Sequence, residues 1–146
     1  MKTYKGKYKL KNPSKYVGNP DKIVYRSGWE LQMMKQFDTR DDILQWASEE
    51  IAIPYMSPVD KRMHRYYPDM IIKARQKDGS IQMFCVEIKP YAQTMAPKKT
   101  SRKTSRYLNE VKTYAVNEAK WIAAEAYCAS KNWKFIILHE KNVKFI

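Results

Sequence analysis

Three charged residues on two short apolar stretches have the types and spacing for chemistry in this 146-residue chain. Asp69 lies in Arg65-Tyr66-Tyr67-Pro68-Asp69-Met70-Ile71-Ile72, while Glu87 and Lys89 lie in Phe84-Cys85-Val86-Glu87-Ile88-Lys89-Pro90. Side chains alternate faces along a strand, so Glu87 and Lys89 point one way and Val86 and Ile88 the other. Antiparallel pairing of the two stretches sets Asp69 beside Glu87, with Lys89 converging on the same point. Two carboxylates in contact repel, and a cation between them relieves the repulsion. Hard oxygen ligands suit Mg²⁺ or Mn²⁺ rather than zinc. A divalent ion beside an ammonium meets the needs of phosphodiester hydrolysis: a polarised phosphoryl oxygen, a deprotonated water and a counter-charge. Alone, a Glu-x-Lys triplet in a strand is more often a solvated polar face, and a Pro-Asp step a turn. Together, in order and 18 positions apart (87 − 69), they favour a metal site on a strand hairpin.

The elements that must position these groups follow from periodicity and punctuation. Ser27, with Glu30 three residues on, forms a capping-box pattern that starts a helix over 29–38. Met33, Met34 and Phe37 make its apolar face, and Glu30 shares that side. Glu30 is thus a capping carboxylate or a third acidic group aimed at the metal. Residues 43–47 alternate as a first strand, with Ile43, Gln45 and Ala47 on one face and Leu44 and Trp46 on the other. Residues 49–55 continue as an edge segment, because Pro54 and Pro58 keep it out of the sheet centre. Residues 60–65 form a polar turn, in which His64 is a surface contact rather than a general base. Strands over 66–73 and 81–89 join through Lys77-Asp78-Gly79-Ser80 as an antiparallel hairpin. In the second of them Gln82, Phe84, Val86 and Ile88 share one face, and Met83, Cys85, Glu87 and Lys89 the other.

After Pro90, a mobile basic loop over 96–106, expected to order on phosphate, leads into a helix over 107–131. Val111, Tyr114, Ala115, Ala119, Ile122 and Ala126 form its apolar face. Asn132 ends it, and 133–138 is a continuous apolar strand, buried on both sides and parallel to a neighbour. The order helix, three strands, helix, strand predicts an α/β protein whose mixed sheet is flanked by helices.

Length and a hydrophobic content of 44% bound the chain to a single packed domain over 27–146, preceded by a Lys/Tyr-rich arm over 1–26. The arm alternates lysines (Lys5, Lys7, Lys9, Lys11) with tyrosines and is broken by two Asn-Pro steps, so it wraps the domain or nucleic acid. No apolar run suffices to cross a bilayer and no signal-peptide core is present, so a cytoplasmic protein is expected. Cys85 and Cys128 have no metal-ligand spacing and are expected as a reduced, buried pair. The net charge is +13, and half of the 28 basic residues fall within 1–26 and 89–106. Such clustering points to a polyanion, and to nucleic acid above membrane because no amphipathic helix accompanies it.

Pro68-Asp69 followed by Glu87-Ile88-Lys89 resembles the PD-(D/E)xK signature of the restriction-endonuclease-like nucleases. The similarity is wider than the motif. Tyr25-Arg26-Ser27 with Glu30, Trp46-Ala47-Ser48-Glu49-Glu50, Ile53-Pro54-Tyr55, His64-Arg65-Tyr66-Tyr67-Pro68-Asp69 and Lys120-Trp121 resemble the head-completion proteins of myoviruses, over nearly the whole chain. The middle and C-terminal parts are also similar to the end-cleaving endonuclease subunit of heteromeric bacterial transposases, which normally carries a further domain.

These resemblances imply a restriction-endonuclease-like αβββαβ core and a Mg²⁺-dependent DNA endonuclease, with Mn²⁺ as a substitute. Asp69 and Glu87 would ligand the ion, with the backbone carbonyl of Ile88 adding an oxygen. Lys89 would hold the attacking water or stabilise charge on phosphorus. Glu30 would match the glutamate that such nucleases often carry on the first helix, acting behind the ligands or on a second ion. Gln93 and the loop residues Lys98, Lys99, Arg102, Lys103 and Arg106 would contact the backbone of double-stranded DNA, as would Lys5, Lys7, Lys9 and Lys11. The implied setting is the virion head or host cytoplasm, with packaged DNA ends as substrate and a portal or head–tail connector as a further partner. The rival expectations are a structural plug with an idle nuclease fold and a transposase subunit.

Overall fold

Ser27 does start the first helix: its hydroxyl accepts the Glu30 N–H at 3.0 Å, and helix α1 runs over Gly28–Thr39. The computed structural model describes residues 5–142, and within them the main sheet has four strands. These are β3 (Ile43–Ser48), β6 (Met70–Arg75), β7 (Ile81–Ile88) and β8 (Lys134–Leu138), in spatial order β3-β6-β7-β8. The first two pairings are antiparallel and β7–β8 is parallel, with helix α2 (Ser105–Ser130) as the crossover. A separate antiparallel hairpin, β4 (Ile53–Met56) with β5 (Met63–Tyr66), sits between β3 and β6 in the chain. Two short strands, β1 (Gly6–Lys7) and β2 (Val24–Tyr25), pair near the start. The α1-β3-β6-β7-α2-β8 order is the expected αβββαβ core with its mixed sheet.

The sheet divides the core in two. On one side Met33, Met34 and Phe37 of α1 pack on Ile43, Trp46, Met70, Ile72 and Val86. On the other, Trp121, Ala124 and Cys128 of α2 pack with Cys85 and with Ile53, Tyr55 and Tyr66 of the hairpin. Cys85 and Cys128 are free thiols, both buried, and they face each other across this layer.

Residues 5–26 lie over the α1 side of the sheet. Tyr8, Tyr16 and Ile23 are buried in that core, and both tyrosine rings meet Trp46 edge-on. Burying a side chain the size of Ile23 contributes about 1.5–3 kcal/mol. Fully buried Asp38 at the end of α1 fixes the segment, accepting from the Tyr8 hydroxyl at 2.7 Å and from the Lys11 and Asn12 N–H groups at 2.8 and 3.1 Å. Gly18 has φ +137°, and a Cβ there would stand 2.4 Å from Glu50, whose carboxylate accepts the Asn19 N–H. The lysines alternate outward: Lys5, Lys7, Lys9 and Lys11 are all exposed.

Several expectations are corrected. The stretch over 66–73 is not one strand: buried Pro68 cannot donate to a ladder, so β5 ends at Tyr66 and β6 begins at Met70. Strict alternation over 43–47 fails because a bulge between Ile43 and Gln45 turns Ile43 onto the same core as Trp46. The inward face of α2 is Asn117, Trp121, Ala124 and Cys128, about one residue round from the expected stripe, and Ile122 is 61% exposed. The large indole of Trp121 wins the interior position. Strand β8 is the described edge of the sheet and is half-buried, although Ile136 packs on one core and Phe135 and Ile137 on the other. The turn at 77–80 forms as expected, with Gly79 at φ +87° and its N–H donating to Gln76.

Candidate functional site

The register that pairs Met70 with Val86 sets Asp69, just before β6, opposite Glu87, near the end of β7. The Asp69 carboxylate accepts the Ile88 N–H at 2.8 Å. Glu87 is buried and accepts a hydrogen bond from the Tyr66 hydroxyl. Asp69 and Glu87 are themselves in hydrogen-bond contact, which requires a proton between them when no cation is there. Burial first, then the charge and contact of Glu87, push the Asp69 carboxyl up to about 8, while the Ile88 N–H and the Lys89 ammonium oppose the rise. Burial and the Glu87 charge likewise hold the Tyr66 hydroxyl far above its usual range, so it stays a donor.

Lys89 follows directly, its backbone N–H tied to Leu138 at 3.0 Å and its side chain half-buried. Glu30 reaches the site's edge from α1. Its Oε2 accepts the Arg26 N–H at 2.9 Å, one residue before the expected capping-box partner. Burial raises its pKa, as do the charges of Asp69 and Glu49, against the Arg26 N–H and charge. Glu49, in the left-handed region at φ 54°, pairs with Arg26 and donates its N–H to the Asp69 carbonyl at 3.2 Å. The four residues Glu30, Asp69, Glu87 and Lys89 are thus gathered at one end of the sheet, with only Asp69 and Glu87 in contact. Among the described residues no group of three His, Cys, Asp or Glu side chains is arranged to hold a metal ion.

A hard divalent cation fits this donor set. The paired carboxylates repel each other at an end of the sheet, offset by the Ile88 N–H, the Tyr66 hydroxyl, a shared proton and Lys89, so a cation there replaces repulsion with coordination. Two carboxylates supply two of the six oxygens Mg²⁺ takes, leaving room for waters and phosphate.

The residues expected to contact DNA are all at the surface. Gln93, Lys98, Lys99, Arg102, Lys103 and Arg106 are exposed, on the short turn over Tyr91–Thr94, the loop after it and the first residues of α2. Arg106 is α2's second residue rather than part of the loop, and pairs with Glu110 at 3.1 Å. His64 is exposed, stacked on Tyr55 and 2.7 Å from Asp60.

Two residues without an assigned role in the sequence belong to the site's support. Tyr66 holds Glu87, and Lys120 of α2 places its ammonium 5.7 Å from the Tyr66 ring centre and 5.9 Å from that of Tyr55. No local pattern marks these contacts, since each joins elements far apart in the chain.

Fold and site together define a restriction-endonuclease-like nuclease domain. The chain belongs to the TnsA-like endonuclease N-terminal family, whose model matches residues 40–140. It is also 39% identical over 145 residues to the head completion nuclease of Enterobacteria phage T4, covering 97% of this chain and 94% of that protein. That similarity takes in Glu30 and nearly all of the N-terminal segment, which the family model leaves out. No solved structure matches. Among the described residues no helix is long and apolar enough to cross a membrane.

Proposed function

We propose that this protein is a Mg²⁺-dependent DNA endonuclease of phage head completion, cutting at the ends of packaged double-stranded DNA before the tail joins. The observation that carries the reading is the contact of Asp69 with Glu87 beside Lys89. A bound divalent ion would polarise a phosphoryl oxygen and lower the pKa of a water. Asp69 and Glu87 would hold that ion, with the Ile88 carbonyl as a further oxygen, and Mn²⁺ could replace Mg²⁺. Tyr66 keeps Glu87 aimed by its hydrogen bond. Lys89 brings a compact positive charge to the phosphate, where negative charge builds in the transition state. Glu30 supports the edge of the site through Arg26 and the field it exerts on Asp69. The exposed lysines at 5–11 and 98–103 hold the DNA backbone, and a portal or head–tail connector presents the DNA end.

An idle plug is the less favoured reading. A plug needs the basic surface but not a buried carboxylate pair, which destabilises the fold without contributing to DNA binding. The test is incubation of purified protein with linear and supercoiled DNA in Mg²⁺, Mn²⁺ or chelator. Cleavage that needs the metal, and that Glu87→Gln abolishes, is expected. Absence of cleavage in either metal contradicts the reading.

A further inference from the structure

Between the 92–97 segment and the first half of α2 lies a cavity of about 790 Å³. That volume falls within the roughly 300–1,000 Å³ of sites that enclose a small organic ligand. Gln93 in the cavity wall is four positions beyond Lys89, and Tyr114 meets Trp121 edge-on, in the cluster that contains Tyr66. The wall over Tyr91–Thr94 is braced by the chain after β8. Glu140 accepts the Tyr91 N–H at 3.0 Å, and the Lys141 ammonium lies 3.7 Å from the centre of the Tyr91 ring. That part of the wall is therefore held in place.

Its chemistry is particular. Asn117 lines it, is only 8% exposed, and its side chain has no hydrogen-bond partner among the described residues. Among the described residues the buried side-chain polar atoms left without a partner are Trp46 Nε1 and Trp121 Nε1, so the Asn117 amide is open to water from the cavity, and a ligand that pairs with it takes the place of that water. An amide presents a donor and an acceptor side by side, the pattern of a nucleobase edge. Gln93, Asn109 and Thr113 add neutral polar groups, and Tyr114 contributes an aromatic ring. Arg106 stands at the rim, its charge shared with Glu110 in an exposed pair that a phosphate could displace.

We propose that this cavity receives one unpaired nucleotide of the DNA substrate. The base would pair with Asn117 and lie along Tyr114, with its phosphate at Arg106. The inference deepens the nuclease reading and rests on it, because it makes the substrate a DNA end that carries a single-stranded extension. A paired base presents its Watson–Crick edge to its partner strand and cannot reach a buried amide, whereas an already unpaired base enters without the cost of unpairing.

The test uses full-length protein in EDTA, so that cleavage plays no part. Hairpin duplexes with a blunt end, a 5′ extension or a 3′ extension carry 2-aminopurine at the unpaired position next to the duplex. Wild type is expected to bind one extended form at least about tenfold more tightly than the blunt form, with a change in 2-aminopurine fluorescence. Asn117→Leu should remove both the preference and the fluorescence change. Thr113→Phe, at an exposed position of the cavity wall, should do the same while melting like wild type, and it decides the matter if Asn117→Leu does not fold. Equal affinity for blunt and extended DNA in wild type overturns the proposal. So does a preference that persists in well-folded Thr113→Phe. A preference that depends on Asn117, in protein that cleaves nothing in Mg²⁺ or Mn²⁺, supports the cavity and removes the nuclease reading.

Discussion

Replacing Asp69 by asparagine should make the metal-free protein more stable at neutral and alkaline pH while removing its catalysis. Burial and Glu87 hold the Asp69 carboxyl at about 8, against an ordinary 3.8. The folded protein therefore binds this proton more tightly than the unfolded chain. Its stabilising effect is fully present below the unfolded value and is lost as pH rises through about 8. Between pH 5 and 8 the loss is about 1.4 kcal/mol per pH unit, tailing off at the upper end, or about 4 kcal/mol in all. For a domain of this size that corresponds to a fall of roughly 8–15 °C in Tm. Asparagine resembles the protonated carboxyl in shape and does not titrate. Thermal melts in EDTA at pH 5, 6, 7 and 8 should show wild type falling away from Asp69→Asn, with the gap widest at pH 8. Mg²⁺ at pH 8 should recover stability in wild type alone. Parallel pH profiles for the two proteins would refute the coupling of Asp69 to Glu87.

Further outcomes follow from neighbouring groups. Tyr66→Phe removes the hydroxyl that aims Glu87, and should lower cleavage and Mn²⁺ affinity by roughly 10–100-fold while leaving the fold intact, as circular dichroism and titration would show. Lys89→Arg keeps the charge but replaces a compact ammonium by a planar fork, and should leave DNA binding within a few-fold while cleavage falls at least about a hundredfold. Changing Lys5, Lys7, Lys9 and Lys11 together to glutamine should weaken binding to all duplex sequences alike. The slope of log affinity against log salt should shrink by about 0.9 for each phosphate that the protein no longer neutralises, and an unchanged slope would assign these lysines elsewhere. Substitution is the right perturbation there, because deleting the segment would also remove Tyr8, Tyr16 and Ile23 from the core.

Much of the site was legible because it is built from local pattern. Period-two alternation set the faces of β7, the Asp78-Gly79 turn set its pairing with β6, and that register alone brings Asp69 opposite Glu87. The Ser27 cap likewise placed Glu30 at the head of α1. Tertiary competition set the limits. In α2 both Ile122 and Trp121 could have faced inward, and the sheet and the β4–β5 hairpin take Trp121. A bulge, invisible in the order of residues 43–47, redirected Ile43. The basic segment over 1–26 advertised its lysines, yet its tyrosines and Asp38 tie it into the fold by hydrogen bonds between residues 26 to 30 positions apart. Tyr66 and Lys120 gain their roles only when the hairpin and α2 meet over β7.

The central claim is that Asp69 and Glu87 act together as one cation site. Calorimetric titration of Mn²⁺ into wild type, Asp69→Asn and Glu87→Gln, at a pH near 8, tests it most directly. Wild type should bind with measurable heat and release a proton, since coordination displaces the one held between the two carboxyls. Either substitution should abolish that heat. Undiminished Mn²⁺ binding by Asp69→Asn or Glu87→Gln, in protein that remains folded, would contradict the account.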